Sequence, residues 1–278
     1  MMGPGVEEPS FFSHHTSSFL DLMESHRAGL LPWNRVDEPS GEALEIPHGT
    51  TVLAAAFPGG VVMAGDRRAT AGNMIVNREL EKVAVADEFS LIAYAGAVGM
   101  AVELIRLFRF ELQHYEKVQG RTLSTNGKAN RLASMVRANL PAAALGMVAL
   151  PLYAAYDESE GRGRIFSYDV GGGPYEEREF HALGSGSVFA RGALKKLYRP
   201  DLTEAELARV CVEALYDAAD DDTATGGPDT FRNIYPVLTV ATAEGARRYS
   251  DEESATLARA VVDTRMTHPH GLTAPTLG

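Results

Sequence analysis

Strand-like and helix-like segments occur in groups along this sequence, and their order restricts the fold. Apolar strand patterns come first, two helical patterns follow, and strands, two helices, strands and one helix complete the chain. The predicted strands lie at 51–57, 61–66, 89–95, 147–156, 164–169 and 180–183, as a short pair within 74–85, and as further strands within 234–249. The predicted helices lie at 99–118, 126–140, 187–198, 203–219 and 251–266.

This grouping differs from the one-by-one alternation of strands and helices that a doubly wound parallel sheet requires. It predicts an α+β fold in which two antiparallel sheets stack face to face and helices pack on their outer sides, giving a four-layer αββα sandwich. Pro141 is expected to end the second helix. Thr203 is the expected N-cap of the fourth helix, with Glu206 at the spacing of a capping box.

Composition and charge limit the classes of function. With 278 residues, of which 45% are hydrophobic, the chain can bury a sizeable core. The net charge of −11 argues against binding to nucleic acid or to an anionic membrane, since both need clustered Lys and Arg. Residues 1–49 hold eight Asp/Glu and two Lys/Arg and so contribute −6, which leaves −5 for the remainder.

Targeting and redox signals favour the cytoplasm. No apolar run reaches the ~18 residues of a membrane-spanning helix, and no basic segment precedes an apolar one at the N-terminus, as a secretory signal would require. The single Cys211 excludes an intrachain disulfide framework and suits a reducing compartment, and its apolar helical pattern indicates core packing. No cluster of His or Cys has the spacing of metal ligands, so no metal or cofactor is expected.

The amino-acid composition of the sequence changes abruptly at the Gly49–Thr50 bond. Residues 1–49 are rich in Pro, Ser, His and Glu, whereas the segment 51–57 is compact and apolar. Such a leader is too polar to fold alone, and it is either a disordered tail or a removable propeptide. The predicted catalytic domain spans 50–266, and residues 267–278, which lack periodicity, are expected to be a disordered tail.

Four polar signals follow Thr50 along the chain. They are Asp66 in the stretch 65–70, Lys82, Ser185 between two glycines, and the run 220–227. Taken singly, each is typical of a turn or of a solvated surface, and a Thr is common at the start of a strand. Their combination and order are therefore more informative than any one of them.

Together these segments resemble the catalytic β subunits of 20S proteasomes, and within that family the bacterial, actinobacterial type. The resemblance covers the chain from Thr50 to the last helix. Its stretches are Thr50-Thr51-Val52, 59–68, Gly72-Asn73-Met74, Lys82-Val83, Ala95-Gly96, 213–222 and Thr225-Gly226-Gly227. It implies the N-terminal nucleophile hydrolase fold and threonine endopeptidase activity. Residues 1–49 carry no match to the family.

The resemblance also implies a role for each residue of the candidate site. Thr50 is the expected nucleophile, and it is expected to cut the Gly49–Thr50 bond itself, because its free α-amine exists as a base only after that cut. Lys82 would lie beside the hydroxyl as an ammonium paired with Asp66, and the Gly96 N–H would form the oxyanion hole. The residues expected to orient the new terminus and its water are Ser185, Asp222 and Thr225, the last of which is Ser in many family members.

The same resemblance predicts how a substrate binds. The polypeptide would add as a strand beside the backbone of Thr70 and Gly96. Small or apolar side chains are expected to line the pocket for the residue before the cut, namely Ala69, Leu80, Ala84, Tyr94 and Val98. Because none of them carries a charge, we predict cleavage after bulky apolar residues.

The implied partners are α subunits and further β subunits in stacked seven-membered rings (α7β7β7α7). An ATP-driven ring that unfolds protein substrates is an indirect partner, since a closed chamber admits only unfolded polypeptide.

Three alternatives to a catalytic proteasome subunit stay open. A subunit of the simpler bacterial two-component protease also begins Thr-Thr, but Arg67-Arg68 and the long leader argue against it. A non-catalytic scaffold β subunit is disfavoured by Thr50, Asp66 and Lys82 together, and an amidase acting on a small molecule would work without α subunits.

Overall fold

The structure, a computed structural model, describes residues 49–271, which form twelve strands and six helices. The strands are β1 (Thr51–Phe57), β2 (Gly60–Gly65), β3 (Ala69–Ala71), β4 (Met74–Asn77), β5 (Val83–Asp87), β6 (Ser90–Gly96), β7 (Ala149–Asp157), β8 (Arg162–Tyr168), β9 (Pro174–Glu177), β10 (Phe180–Gly184), β11 (Val237–Thr242) and β12 (Gly245–Arg248). The helices are α1 (Val98–Gln119), α2 (Thr125–Ala138), α3 (Leu140–Ala144), α4 (Ser187–Leu197), α5 (Glu204–Asp221) and α6 (Asp251–Thr267).

The strands form two five-stranded antiparallel sheets and one hairpin. The first sheet has the order β10-β1-β2-β11-β12. The second has the order β5-β6-β7-β8-β9. The hairpin pairs β3 with β4. The predicted α+β class with antiparallel sheets is therefore confirmed.

The two strands predicted within 74–85 correspond to β4 and β5, but the prediction that they pair with each other is wrong. β4 pairs with β3, and β5 pairs with β6. A tight turn at Gly72, whose φ of 54° lies in the left-handed region, closes the β3–β4 hairpin. β3 has only three residues, which are too few for an alternating pattern to reveal. The charged segment 78–82 separates β4 from β5.

Two further boundaries differ from the predictions. α2 ends at Ala138, and Pro141 lies in the first turn of the separate helix α3, where a proline lacks only an N–H that would be unpaired anyway. β9 was not predicted; it begins at Pro174 on the edge of the second sheet, a position that tolerates proline. The capping box of α5 is confirmed, since the Thr203 N–H donates to Glu206 Oε2 at 2.8 Å.

Buried apolar side chains form three clusters. The first joins β1, β2, β10 and β11 to α4, α5 and α6 and includes Leu53, Val62, Leu194, Leu215, Leu238 and Val261. The second joins β5–β8 to α1 and α2 and includes Ile92, Phe108, Leu132, Tyr153 and Phe166. The third holds side chains of both sheets, including Val52, Met63, Leu91, Leu152 and Ile165. Val52 and Leu53 thus face opposite clusters, as the two-residue period of a strand requires.

The first cluster also contains Cys211, which is fully buried in α5. Burial raises the pKa of its thiol, so the residue packs as an apolar side chain, as predicted. Among residues 49–271, no helix is both long enough and apolar enough to cross a membrane. Of the predicted disordered tail, residues 272–278 lie outside the described residues, and Thr267 is the last residue of α6.

Candidate active site

The predicted cleavage point, Gly49–Thr50, is buried immediately before β1. The Thr50 hydroxyl donates a hydrogen bond of 2.6 Å to the Gly49 carbonyl oxygen, and the Lys82 ammonium donates one of 3.1 Å to the same oxygen. A Cβ added to Gly49 would collide with the Thr70 hydroxyl and would lie 2.9 Å from the Ala224 carbonyl oxygen. Glycine is therefore the residue that fits this position, and two donors polarise its carbonyl group.

Lys82 and Asp66 form an ion pair that is shielded completely from solvent. Asp66 follows the end of β2, Lys82 precedes β5, and the Nζ–Oδ1 distance is 2.6 Å. The Arg68 carbonyl oxygen is a further acceptor for Nζ. With the Gly49 carbonyl oxygen, the three acceptors match the three N–H groups of an ammonium. Burial lowers the pKa of Lys82 below its ordinary value, although the Asp66 carboxylate acts in the opposite direction.

The backbone around Asp66 holds its carboxylate in place. Oδ1 accepts the Thr51 N–H at 2.8 Å, and Oδ2 accepts the N–H groups of Arg68 and Gly226, each at 2.9 Å. Three backbone donors and the Lys82 ammonium thus occupy the two oxygens. An ionised carboxylate, which only accepts, suits this set of donors. Asp66 therefore fixes Lys82 from a rigid position.

The predicted residues Ser185, Asp222 and Thr225 also come together. The Ser185 and Thr225 hydroxyls each donate to Asp222 Oδ2 at 2.5 Å. Ser185 follows β10 and donates its N–H to the Thr50 carbonyl oxygen at 2.9 Å. Asp222 is the C-cap residue of α5. The end of α5 therefore faces the start of β1, and this second cluster touches Thr50 on the side away from Gly49.

Three participants have no role in the sequence analysis, although they lie in stretches that carry the family resemblance. Thr51 is fully buried, and its hydroxyl lies 2.6 Å from Thr225 Oγ1. Arg68 and Gly226 contribute only a backbone carbonyl and a backbone N–H, which no side-chain pattern reveals. A signal for Thr51 does exist, because a second polar residue at the start of an otherwise apolar strand needs a buried hydrogen-bond partner.

Gly96 lies on β6, the strand that pairs with β5 directly after Lys82. It ends β6 opposite Ala149, with a φ of 110° that favours glycine. Within residues 49–271 we find no hydrogen bond from Gly96 to Gly49 or Thr50. The neighbouring strand residue Tyr94 does connect β6 to the site, because its N–H donates to the Lys82 carbonyl oxygen at 3.2 Å. The oxyanion-hole role of Gly96 stays a prediction.

The residues predicted to bind substrate lie on four elements and on the segment that precedes β5. They are Ala69 and Thr70 on β3, Leu80 before β5, Ala84 on β5, Tyr94 on β6 and Val98 at the start of α1. Thr70 lies beside Gly49, where its hydroxyl would collide with an added Cβ. Tyr94 is buried, and burial together with the charge of Asp66 raises the pKa of its hydroxyl to about 12, so the side chain is neutral at physiological pH. That these six residues line one specificity pocket stays a prediction.

Two antiparallel sheets, with a threonine directly before the first strand, agree with the predicted N-terminal nucleophile class of fold. Comparison with known families is more specific. The family described as "Proteasome subunit" matches residues 46–232, which is more than half of the sequence. The chain belongs to the proteasome subunit family, and the resemblance predicted from its motifs is confirmed.

Curated relatives agree with this family over nearly the full chain. "Proteasome subunit beta" of Streptomyces griseus subsp. griseus is 53% identical over 262 residues, which cover 94% of this chain and 93% of the relative. "Proteasome subunit beta 2" of Thermomonospora curvata is 55% identical over 265 residues, 95% of each chain. "Proteasome subunit beta" of Frankia alni is 52% identical over 271 residues, 98% of each chain. The similarity therefore extends beyond the range matched by the family and into residues 1–49, for which the prediction of no match is wrong.

Proposed function

We propose that this chain is the precursor of a threonine endopeptidase subunit of a proteasome core particle. In this proposal, Thr50 removes residues 1–49 as a propeptide by cutting the Gly49–Thr50 bond, and residues 50–266 form the catalytic domain. Residues 1–48 lie outside the described residues. The two sheets and the three apolar clusters support a four-layer αββα sandwich of the N-terminal nucleophile hydrolase type.

The convergence of two donors on the Gly49 carbonyl oxygen carries the proposal. The Thr50 hydroxyl lies 2.6 Å from that oxygen, and the Lys82 ammonium lies 3.1 Å from it. Attack on the carbon places negative charge on the oxygen, and a preorganised cation beside it stabilises that charge. Because Thr50 and Lys82 are fully buried, water screens this interaction little.

Self-cleavage would proceed in two steps. First, Thr50 Oγ1 bonds to the Gly49 carbonyl carbon, the hydroxyl proton passes to the departing nitrogen, and the C–N bond breaks, which leaves the leader as an ester on Thr50. Second, water adds to the ester, the leader leaves as a carboxylic acid, and the hydroxyl is restored. The new α-amine of Thr50 has an ordinary pKa of about 7.7–8.0 and can then accept the hydroxyl proton during peptide hydrolysis.

The other residues would support the mature nucleophile. Lys82, held by Asp66, lowers the proton affinity of the nearby amine by like-charge repulsion. The second cluster would orient the new terminus and its water; its members are Ser185, Asp222 and Thr225. Gly96 would donate its N–H to the oxyanion formed on a substrate carbonyl.

The proposed substrates are unfolded polypeptides. They would bind as an added strand along Thr70 and Gly96, with a bulky apolar residue before the cut. We expect assembly with α subunits and further β subunits in stacked seven-membered rings in the cytoplasm, served by an ATP-driven unfolding ring. A preference of the assembled particle for fluorogenic peptides with acidic or basic residues before the cut would contradict the proposed pocket.

Intact-mass measurement of the β chain, after co-expression with an α subunit, tests the proposal. The parent should lose residues 1–49 and hydrolyse apolar fluorogenic peptides, while Thr50→Ala should keep the leader and be inactive. Thr256→Ala, which removes the hydroxyl of an exposed threonine on α6, is the matched control and should behave as the parent. An uncut parent in assembled rings would refute self-cleavage and favour the scaffold alternative. Hydrolysis without any α subunit would favour the amidase alternative.

A further inference from the structure

We infer that Thr51 is a positioning residue for the reaction of Thr50, an inference that rests on the proposed function. Thr51 is fully buried. Its N–H donates to Asp66 Oδ1 at 2.8 Å, and its carbonyl oxygen accepts the Asp66 N–H at 3.0 Å. Lys82 binds the same Oδ1 atom. The backbone of Thr51 is therefore tied to the ion pair that faces the Gly49 carbonyl group.

The side chain of Thr51 is tied to the second cluster. Its Oγ1 atom accepts the Gly186 N–H at 2.9 Å and lies 2.6 Å from Thr225 Oγ1. The single proton of the Thr225 hydroxyl goes to Asp222 Oδ2 at 2.5 Å, so this hydroxyl acts as the acceptor towards Thr51. The hydrogen bonds therefore run in one direction, from Gly186 through Thr51 and Thr225 to the Asp222 carboxylate.

This ordered chain restrains the residue that reacts. Thr50 precedes Thr51 directly, and its carbonyl oxygen accepts the N–H of Ser185, the neighbour of Gly186. The backbone and the side chain of Thr51 are both held by hydrogen bonds. Rotation of Thr50 about its backbone would therefore break buried hydrogen bonds. Such restraint matters because a displacement of about 1 Å can cost a hundredfold in rate. Thr51 itself reaches none of the reacting atoms, so its effect is on geometry.

Thr51→Val tests the inference, because valine keeps the shape and β-branching while removing the hydroxyl. It leaves the buried Gly186 N–H without its acceptor. In particles co-expressed with an α subunit, we expect leader removal and kcat for peptides to fall about tenfold to a hundredfold, with KM unchanged. Thr51→Ser, which restores the hydroxyl, should return both rates to within about threefold of the parent. Time-resolved intact mass and steady-state kinetics measure these quantities.

A double-mutant cycle separates this role from simple packing. Because Thr51 and Thr225 act in one chain, Thr51→Val combined with Thr225→Val should be no slower than the slower single variant. Additive losses, or a Thr51→Val variant with parental rates, would overturn the inference while leaving the proposed function intact. An uncut parent would instead refute the proposed function. If Thr51→Val fails to assemble, Thr51→Ala replaces it, and failure of both would show a structural role and also overturn the inference.

Discussion

Lys82 is a cation at a position without solvent exposure, and its neighbours explain why the fold tolerates it. Transfer of an ammonium out of water is costly unless the charge is paired and every N–H has an acceptor. Asp66 supplies the opposite charge, and the carbonyl oxygens of Arg68 and Gly49 supply the remaining acceptors. One of these acceptors belongs to the bond that is proposed to be cut, so that bond forms part of the ammonium's binding site.

Precursor cleavage should consequently depend on the protonation of Lys82. Burial lowers the pKa of Lys82 below the ordinary value of about 10.4, so the cleavage rate should fall as pH rises through a midpoint below that value. Asp66→Asn removes the charge that raises the pKa of Lys82, and should move the midpoint to lower pH and slow cleavage at least tenfold. Intact mass against time, over a series of pH values, measures both effects.

Asp87→Asn is the control for this prediction. It breaks another Lys–Asp pair, in which Lys128 Nζ lies 2.7 Å from Asp87 Oδ2, and should leave the midpoint unchanged.

The lowered pKa of Lys82 also determines how the free energy of unfolding changes with pH. Between the native and unfolded pKa values the unfolded chain binds more protons, so this group makes the free energy of unfolding rise with pH in that interval. A cleavage rate that increases through the alkaline range would contradict the ammonium role.

At the scale of the elements, the sequence predicts what rests on local patterns. The apolar run of β1 and the capping box of α5 are properties of neighbouring residues, and both are confirmed. β3 and β9 are short edge or hairpin strands that owe their place to pairing with distant segments, so no local pattern identifies them. The same holds in the site: Asp66 and Lys82 carry a motif, whereas the carbonyl group of Arg68 acts through its backbone.

The contact between α5 and α6 is a long-range feature of this kind. Arg265 on α6 lies 2.8 Å from Glu213 Oε2 and 2.5 Å from Asp217 Oδ1, both on α5, and packs 5.0 Å from the centre of the Tyr216 ring. The Glu213 side chain is buried, and its Oε1 atom has no hydrogen-bond partner among the described residues. Arg265 therefore compensates the charge of the buried Glu213 carboxylate.

Arg265→Met should lower the free energy of unfolding by about 3 kcal/mol, because it leaves the buried Glu213 charge uncompensated. Replacing the pair together, as Arg265→Met with Glu213→Leu, should recover much of this loss. Arg259→Met is the matched control. Arg259 lies on the same helix as Arg265 and packs over the Tyr235 ring outside that helix, and its loss should cost less than about 1 kcal/mol. Urea unfolding of the subunit measures all three, and a loss below 1 kcal/mol for Arg265→Met would contradict the prediction.

At the scale of the whole molecule, α1 exposes large apolar side chains in addition to those that it buries. Leu104, Phe108 and Leu112 are buried in the second cluster. Phe110, Val118 and Val102 point to solvent with exposed fractions of 64%, 62% and 50%. Aromatic side chains are enriched at protein–protein interfaces. Phe110 therefore marks the part of α1 that we expect subunit contacts to cover.

Phe110→Ser should weaken assembly with α and β subunits without destabilising the isolated subunit, because the side chain is 64% exposed, although its ring stacks on His114 of the same helix. An aromatic side chain buried at an interface commonly contributes 2 kcal/mol or more, or about thirtyfold in affinity. Native mass spectrometry over a dilution series should show a lower fraction of complete particles for Phe110→Ser, and parental assembly for Arg109→Ser at the neighbouring exposed position. Equal assembly of parent and Phe110→Ser would exclude this face of α1 as a subunit contact, whereas a lower unfolding free energy for Phe110→Ser alone would mean that the ring supports the fold.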